Sequence, residues 1–597
     1  MTCHRQLILI LSFIWLFAGC GEMGHIHSKS SASTAAIQVY CPYLPSRTFA
    51  TESTGAPPAR QISGHAFYEF RVNGNGSISA SPRPIRFAEV RVTDSSGALI
   101  QCAETDQSGA FLFSLPNGNS NYTVSVTSRA ANSKNSAFVM NNPTANSYYA
   151  VSTGINTSQS DPTLSQLHLV APASGTFEGG AFNILDQILN TQEFLRNSTR
   201  DCDQSGSSNF FHNCIPFTVA PSVNVYWSPG LNPGKYVGES SAISFYINGK
   251  KELYILGGIN GDTEVSDMDH FDNSVIIHEY SHFIEDQFSY PSSPGGSHTG
   301  NGIIDPRLAW GEGWADFLQA AVTGSPIYRD TYGHVGCVSP TPGSLCTGVN
   351  FNESLEFPTS DLPSSIGGIG EGNFREFSVA RALWSALVQT PTSPATYFSE
   401  IWTAFTGQLN SLRIAHNPFN HIGHLHVLQQ QQASPHSDWT EIRNHEQQAG
   451  DLSAFATPLV SPLSDGSCPY TPSTMNIVKT GLDNGSFATS DLMRNNDFYA
   501  YHHPGGDVTI TLNLSSADGN VDLDLYLLEK TYLFGDKKYW IRASNTSGSS
   551  SESIHATLGA DNYMIHVMAY TGIYPSPTTR VAAYRLTING VAVCPGR

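Results

Sequence analysis

The chain has 597 residues, of which 40% are hydrophobic and only 13% charged, with a formal net charge of −19. At about 150 residues per domain, that length predicts three or four domains. No basic stripe is available to neutralise phosphates, which argues against a nucleic-acid partner.

The N-terminus carries Arg5 and then an apolar run over residues 7–17. The run is shorter than the ~20 residues a membrane-spanning helix needs, so it reads as an export signal. Phe17-Ala18-Gly19-Cys20 follows and resembles a bacterial lipobox, with Phe17 in place of the usual aliphatic residue. The resemblance implies a signal peptide over residues 1–20 and lipidation of Cys20. It also implies an outer-membrane or cell-surface lipoprotein, held by the lipid or released. An ordinary secretory signal is the alternative. Without Cys3 and Cys20, eight of the ten cysteines remain. An oxidising compartment would pair them. The sequential pairing is Cys41–Cys102, Cys202–Cys214, Cys337–Cys346 and Cys468–Cys594.

Residues 21–57 are rich in Ser, Thr, Ala and Pro and read as a tether. Alternating segments at 62–67, 88–93, 110–113 and 122–126, separated by polar turns, predict an antiparallel β-sandwich over 58–130. Within it, Thr105-Asp106-Gln107-Ser108-Gly109-Ala110-Phe111 resembles the signature of carboxypeptidase-regulatory-like domains. That resemblance implies a spacer or adhesion module. Residues 131–175 carry no clear assignment. From 175 the periodicity turns helical, with Phe182, Leu185, Ile188, Leu189 and Leu195 three and four residues apart or their multiples. Residues 223–227 read as a strand, and 242–246 with 252–256 as a hairpin about Asn248-Gly249. Asp267, Asp269 and Asp272 then lead into a predicted helix at 274–288, whose positive end suits carboxylates. Two further helices are expected at 313–322 and 374–387.

The 274–288 helix contains His278-Glu279-Tyr280-Ser281-His282. Residues i and i+4 share a helix face, so both imidazoles can reach one zinc ion, while Glu279 stands beside it as a base for water. Gly311-Glu312-Gly313-Trp314-Ala315-Asp316 offers Glu312 as a third ligand and Asp316, one turn on, as a hydrogen-bond acceptor behind a ligand histidine. Three protein ligands leave a coordination position open for catalysis. Glu285 and Phe288 replace the Gly and His that a metzincin would carry. No GxMEN segment of the aminopeptidase type precedes the motif. Asp330, in Asp330-Thr331-Tyr332-Gly333, is one residue short of the aspartate-ligand pattern and stays as an alternative ligand.

The two segments together resemble the thermolysin and fungalysin-like metallopeptidases, whose fungalysin form is HEYxH followed by GEGWxD. The resemblance implies zinc ligation by His278, His282 and Glu312, general-base action by Glu279, a supporting role for Asp316, and protein or peptide substrates. It also implies an edge strand, with Ala242, Ser244 and Tyr246, that pairs with the substrate backbone. The family places an oxyanion-stabilising histidine on a later helix, but residues 377–384 contain none. Arg381, Arg375 or one of His416, His421, His424 and His426 is the substitute on offer.

Residues 451–474 read as a linker. Beyond it, Val521-Asp522-Leu523-Asp524-Leu525-Tyr526-Leu527 and Tyr584-Arg585-Leu586-Thr587-Ile588 resemble bacterial pre-peptidase C-terminal domains, β-sandwiches appended to secreted proteases. Some members bind calcium, and Asp522 and Asp524 are the candidates for it; a solvated strand face is the alternative. The predicted architecture is therefore multidomain. An α+β zincin-like metallopeptidase core at 175–450 is flanked by antiparallel β-sandwiches at 58–130 and 475–597. The expected function is zinc-dependent endopeptidase. The rival is a surface adhesion protein with a degenerate or structural zinc site.

Overall fold

The computed structural model describes most of residues 59–331, then 349–354, 375–388, 394–409, 455–458, 473–479, 496–529, 540–570 and 578–593, with isolated residues between them such as Cys41, His298, Ile442 and Glu446. Residues 1–40, and with them the lipobox, lie outside the described residues. So do Cys337, Cys346, Cys468, Cys594 and the four histidines at 416–426.

Two antiparallel-rich sheets open the chain. One orders Leu99–Glu104, Glu89–Asp94, Asn121–Thr127 and Ala150–Asn156. The other centres on Ala59–Tyr68, which pairs antiparallel with Ala110–Pro116 and parallel with Leu167–Ala171. Alternation in Ala110–Pro116 buries Phe111, Phe113 and Leu115 while their neighbours stay half-buried or exposed, as a strand with one face on a core requires. A disulfide joins Cys41 to Cys102, and a second joins Cys202 to Cys214.

Strand pairing continues past residue 130. Ser136–Met140 lies parallel to Val223–Tyr226 in a five-stranded mixed sheet ordered Phe245–Ile247, Glu252–Tyr254, Val223–Tyr226, Ser136–Met140, Arg129–Ala131. The otherwise unassigned residues 131–175 thus supply strands to both the N-terminal sheets and this mixed sheet. Helices α1 (Glu178–Ser198), α2 (Asn273–Phe288), α3 (Pro306–Thr323), α4 (Glu376–Val388) and α5 (Pro394–Ala404) follow. They share one continuous apolar core with the preceding sheets, from Ile62 through Phe182, Tyr280 and Trp314 to Ile442. Arg86 ties the two parts further, pairing with Asp186 of α1 at 2.6 Å.

The C-terminal residues form an eight-stranded sheet system with its own core, built on Ile510, Leu525, Ile565 and Tyr584. Its centre is Asn496–Ala517 paired with Ser551–Ala569. Phe455–Pro458, inside the expected linker, pairs parallel with the first of these. Among the described residues no helix is long and apolar enough to cross a membrane.

Candidate metal centre

Helix α2 begins after Asp272, whose extended backbone (φ −89°, ψ 92°) stops the helix on its N-terminal side. Its carboxylate is not spent on a cap. It accepts from Thr331 N at 2.8 Å and Thr331 Oγ1 at 2.9 Å, which pins the helix to the strand Ile327–Thr331. Residues 274–286 of α2 are all buried. Tyr280 Oη accepts from Gln192 of α1 at 3.0 Å, and apolar neighbours, among them Val275, Ile276, Phe283 and Ile284, leave the two histidines to meet each other and the carboxylates of α3.

They do meet. His278 and His282 bring their Nε2 atoms to 3.1 Å. Glu312 Oε2 stands 3.0 Å from His278 Nε2 and 3.3 Å from His282 Nε2. Donors sharing a metal in tetrahedral geometry, at roughly 2.0–2.1 Å each, stand about 3.3 Å apart. Two imidazoles and a carboxylate at these separations fit a zinc ion. Asp316 Oδ1 lies 2.8 Å from His278 Nδ1, so that ring presents Nε2 to the shared point. Glu279 follows His278 on the same turn and is fully buried.

Electrostatics agree with a site built for a cation. Burial alone would lower the His278 pKa, but hydrogen bonds to Asp316 and Glu312 outweigh it and raise the group well above its usual value. Burial would raise Glu312, yet the charges of His298 and His282 and its hydrogen bonds to His278 and His282 hold it well below the carboxylate range.

Two members of the cluster escaped sequence reasoning. His298, between α2 and α3, puts Nε2 3.6 Å from Glu312 Oε2 and 3.3 Å from Glu376 Oε2. Glu376 is the first residue of α4. Burial pushes its pKa up to about 8, with His298 opposing and Asp316 and Glu312 adding to the rise. The His298, Glu312 and Glu376 donors lie within 4.8 Å of one another. The one signal available was position, a histidine fourteen residues before Glu312 in a Gly- and Ser-rich stretch between the two motif helices.

Arg381 does not join the cluster. It is fully buried, and its guanidinium forks onto Glu446, Nε to Oε1 at 2.8 Å and Nη2 to Oε2 at 2.7 Å. Five residues of helix turn it about 140° away from Glu376. Arg375 sits half-buried just before α4. The edge strand begins later than expected, at Phe245, so Ala242 and Ser244 precede it. Ser244 and Tyr246 are fully buried: the first donates to Asp269, the second to Asp286 at 2.5 Å. Their side chains therefore hold the strand onto α2 and the loop before it, and Phe245, Tyr246 and Ile247 are all buried. No other described strand pairs with that outer edge. Asp330 groups with Asp267 and Asp269, not with the histidines. Asp522 and Asp524 are buried, and no third histidine, cysteine or carboxylate ligand joins them among the described residues.

No protein family model matches the chain, and no curated protein matches it. Among solved structures, a pre-peptidase C-terminal domain of collagenase from Bacillus anthracis is similar at 10% identity, over 19% of this chain and 88% of that one, with a TM-score of 0.13. PliG from Aeromonas hydrophila, a periplasmic inhibitor of g-type lysozyme, is similar at 12% identity, over 22% and 97%, with a TM-score of 0.14.

Proposed function

We propose that the chain is an exported, surface-anchored zinc-dependent endopeptidase resembling the thermolysin and fungalysin type. The observation that carries the reading is the convergence of His278, His282 and Glu312 to mutual separations of 3.0–3.3 Å, with Asp316 behind His278 and Glu279 beside it. A structural zinc in a binding protein has no use for that extra buried carboxylate.

Bound there, zinc would acidify a water molecule and polarise the scissile carbonyl. Glu279 takes the proton of the attacking water and returns it to the departing amine. Asp316 keeps the His278 Nδ1 proton in place, so Nε2 stays a donor of electrons. His298 holds its Nε2 3.3 Å from Glu376 Oε2 and 3.6 Å from the ligand oxygen of Glu312, and would turn that one N–H from Glu376 to the oxygen on which charge develops. It takes the place that Arg381, committed to Glu446, leaves vacant. The outer edge of Phe245–Ile247 receives an extended peptide by backbone pairing.

Casein hydrolysis by the purified chain, abolished by chelation and restored by zinc, is the expected result. Glu279→Gln should keep its zinc and lose about 10²–10⁴-fold in hydrolysis, the worth of a positioned general base. Full activity in that variant would end the assignment, and zinc content without any hydrolysis in the parent would favour the binding-protein reading.

A further inference from the structure

A row of hydroxyls runs into a carboxylate inside the C-terminal sheet. Tyr584 donates to Asp497 Oδ2, and the Tyr499 and Tyr584 hydroxyls are bonded to each other. Asp497, Tyr499 and Tyr584 are 6%, 3% and 0% exposed. Their surroundings are apolar: Val567 stands opposite Asp497 in the ladder and Leu525 opposite Val567, both in the core. None of the ion pairs of the described residues includes Asp497. A carboxyl out of water, with a neutral donor and no cation, favours its protonated form. Burial pushes Asp497 up to about 7, against the hydrogen bond from Tyr584. The row accommodates both forms. Either hydroxyl of the tyrosine pair can be the donor. A carboxylate receives from Tyr584, whereas a protonated Asp497 donates to Tyr584, and Tyr584 to Tyr499.

The row sits where the chain enters this sheet. Phe455–Pro458, the strand inside the expected linker, pairs with Phe498, Tyr499 and Ala500, the residues directly after Asp497. Tyr584 comes from another strand, Thr578–Ile588, and stands opposite Ser473, the first residue of Ser473–Lys479. We propose that Asp497, closed under Tyr584 and Tyr499, is a proton-operated latch: protonated, it holds the incoming strand Phe455–Pro458 on the C-terminal sheet, and ionised, it loosens that seam. The elements packed around it leave the latch to these three groups. Phe455–Pro458 carries no titratable side chain, and Ser473–Lys479 turns Met475 and Ile477 to the core. On Ser551–Ala569, His566 takes the opposite face from Val567 and stacks on Tyr526, whose hydroxyl donates to Asp524 at 3.1 Å. Tyr501 and His503, further along the strand of Asp497, bond each other at 2.8 Å. Arg580, four residues before Tyr584, donates to the carbonyls of Asp518 and Asn520. The latch shares no residue with the His278–His282–Glu312 cluster, so it does not rest on the peptidase reading.

A carboxyl whose folded pKa is raised stabilises the fold fully below the ordinary carboxylate range, and that stability is lost as pH rises through about 7. Two other groups of the same sheet titrate nearby. Burial pushes Asp524 up to about 6, which acts in the same sense at lower pH, and holds His566 down to about 3, which acts in the opposite sense. Asp497→Asn, a stand-in for the neutral acid, cancels both by comparison. In calorimetry of the full chain, the midpoint of the C-terminal transition in Asp497→Asn minus that of the parent should grow by several degrees from about pH 5 to about pH 8, then level off. A constant difference would overturn the latch. The parent alone supplies a second measurement, should the variant fail to fold. Amide exchange of residues 455–457, corrected for its intrinsic pH dependence, should lose about 10-fold in protection between about pH 6 and about pH 8, while Ile510–Leu512 keeps its own. Protection unchanged at 455–457, or lost equally at both places, would overturn the assignment of the latch to this seam.

Discussion

Asp316 decides which nitrogen of His278 faces the metal position, because its Oδ1 sits 2.8 Å from Nδ1. A carboxylate there also raises the basicity of the opposite nitrogen. Asp316→Asn keeps the size and an acceptor but loses the charge, so zinc affinity should fall at least 10-fold, within the range of about 10–100-fold that outer partners of metal ligands contribute. Competition with a chromogenic chelator measures it. Unchanged affinity would mean that packing of α2 alone orients the ring. At this scale the sequence was informative wherever partners lie one helical turn apart. His278 with His282, and Glu312 with Asp316, are each four residues apart on one helix, so a single period places each pair on one face. His298 and Glu376 stand 78 residues apart in sequence and meet only through tertiary packing. The aspartates at 267, 269 and 272 read as dipole-compensating carboxylates before a helix. The fold, which sequence does not display, buries all three, groups the first two with Asp330 and turns Asp272 onto Thr331.

Helix α3 begins at Pro306, seven residues before the position periodicity suggested. Gly311 and Gly313 weaken a helical prediction, since glycine costs about 1 kcal/mol inside a helix relative to alanine. Packing explains why Gly313 is there. A Cβ on it would stand 2.6 Å from Glu376 O and 2.6 Å from Val379 Cβ. The bare Cα thus lets α4 lie close against α3 and holds Glu376 near His298. Gly313→Ala should gain in helix propensity and lose more to overpacking, a net destabilisation of about 1–3 kcal/mol. Both melting temperature and hydrolysis should fall, because displacement of α4 also moves Glu376 and with it His298. A variant as stable as the parent would show that α3 and α4 have room to spare. The same contrast governs the strands. Residues 110–113 alternate cleanly and appear within a longer strand, whereas the strand expected at 242–246 forms at Phe245–Ile247. The demands of Asp269 and Asp286 on Ser244 and Tyr246 set that strand's position, and hydrophobic pattern alone does not carry them.

Two large apolar cores stand out among the described residues, and they share no residue. The first runs from Ile62 to Ile442 through the N-terminal sheets and the helices; the second lies within the C-terminal sheet, from Met475 to Val593. A cooperative folding unit is one core with the elements that bury it. The N-terminal sheets, read from sequence as a separate module, therefore belong to the same unit as α1–α4, held by shared burial and by the Arg86–Asp186 pair. Calorimetry of the full chain should resolve two transitions. Metal removal should lower the midpoint of the larger one and leave the smaller in place, since a ligand stabilises only the unit that binds it. Replacement of both Cys41 and Cys102 by serine, which removes the bridge from Cys41 to the N-terminal sheet, should also shift only the larger. A single transition moved as a whole by chelation would mean that the two cores unfold together and that the C-terminal sheet draws its stability from the metal-bearing unit.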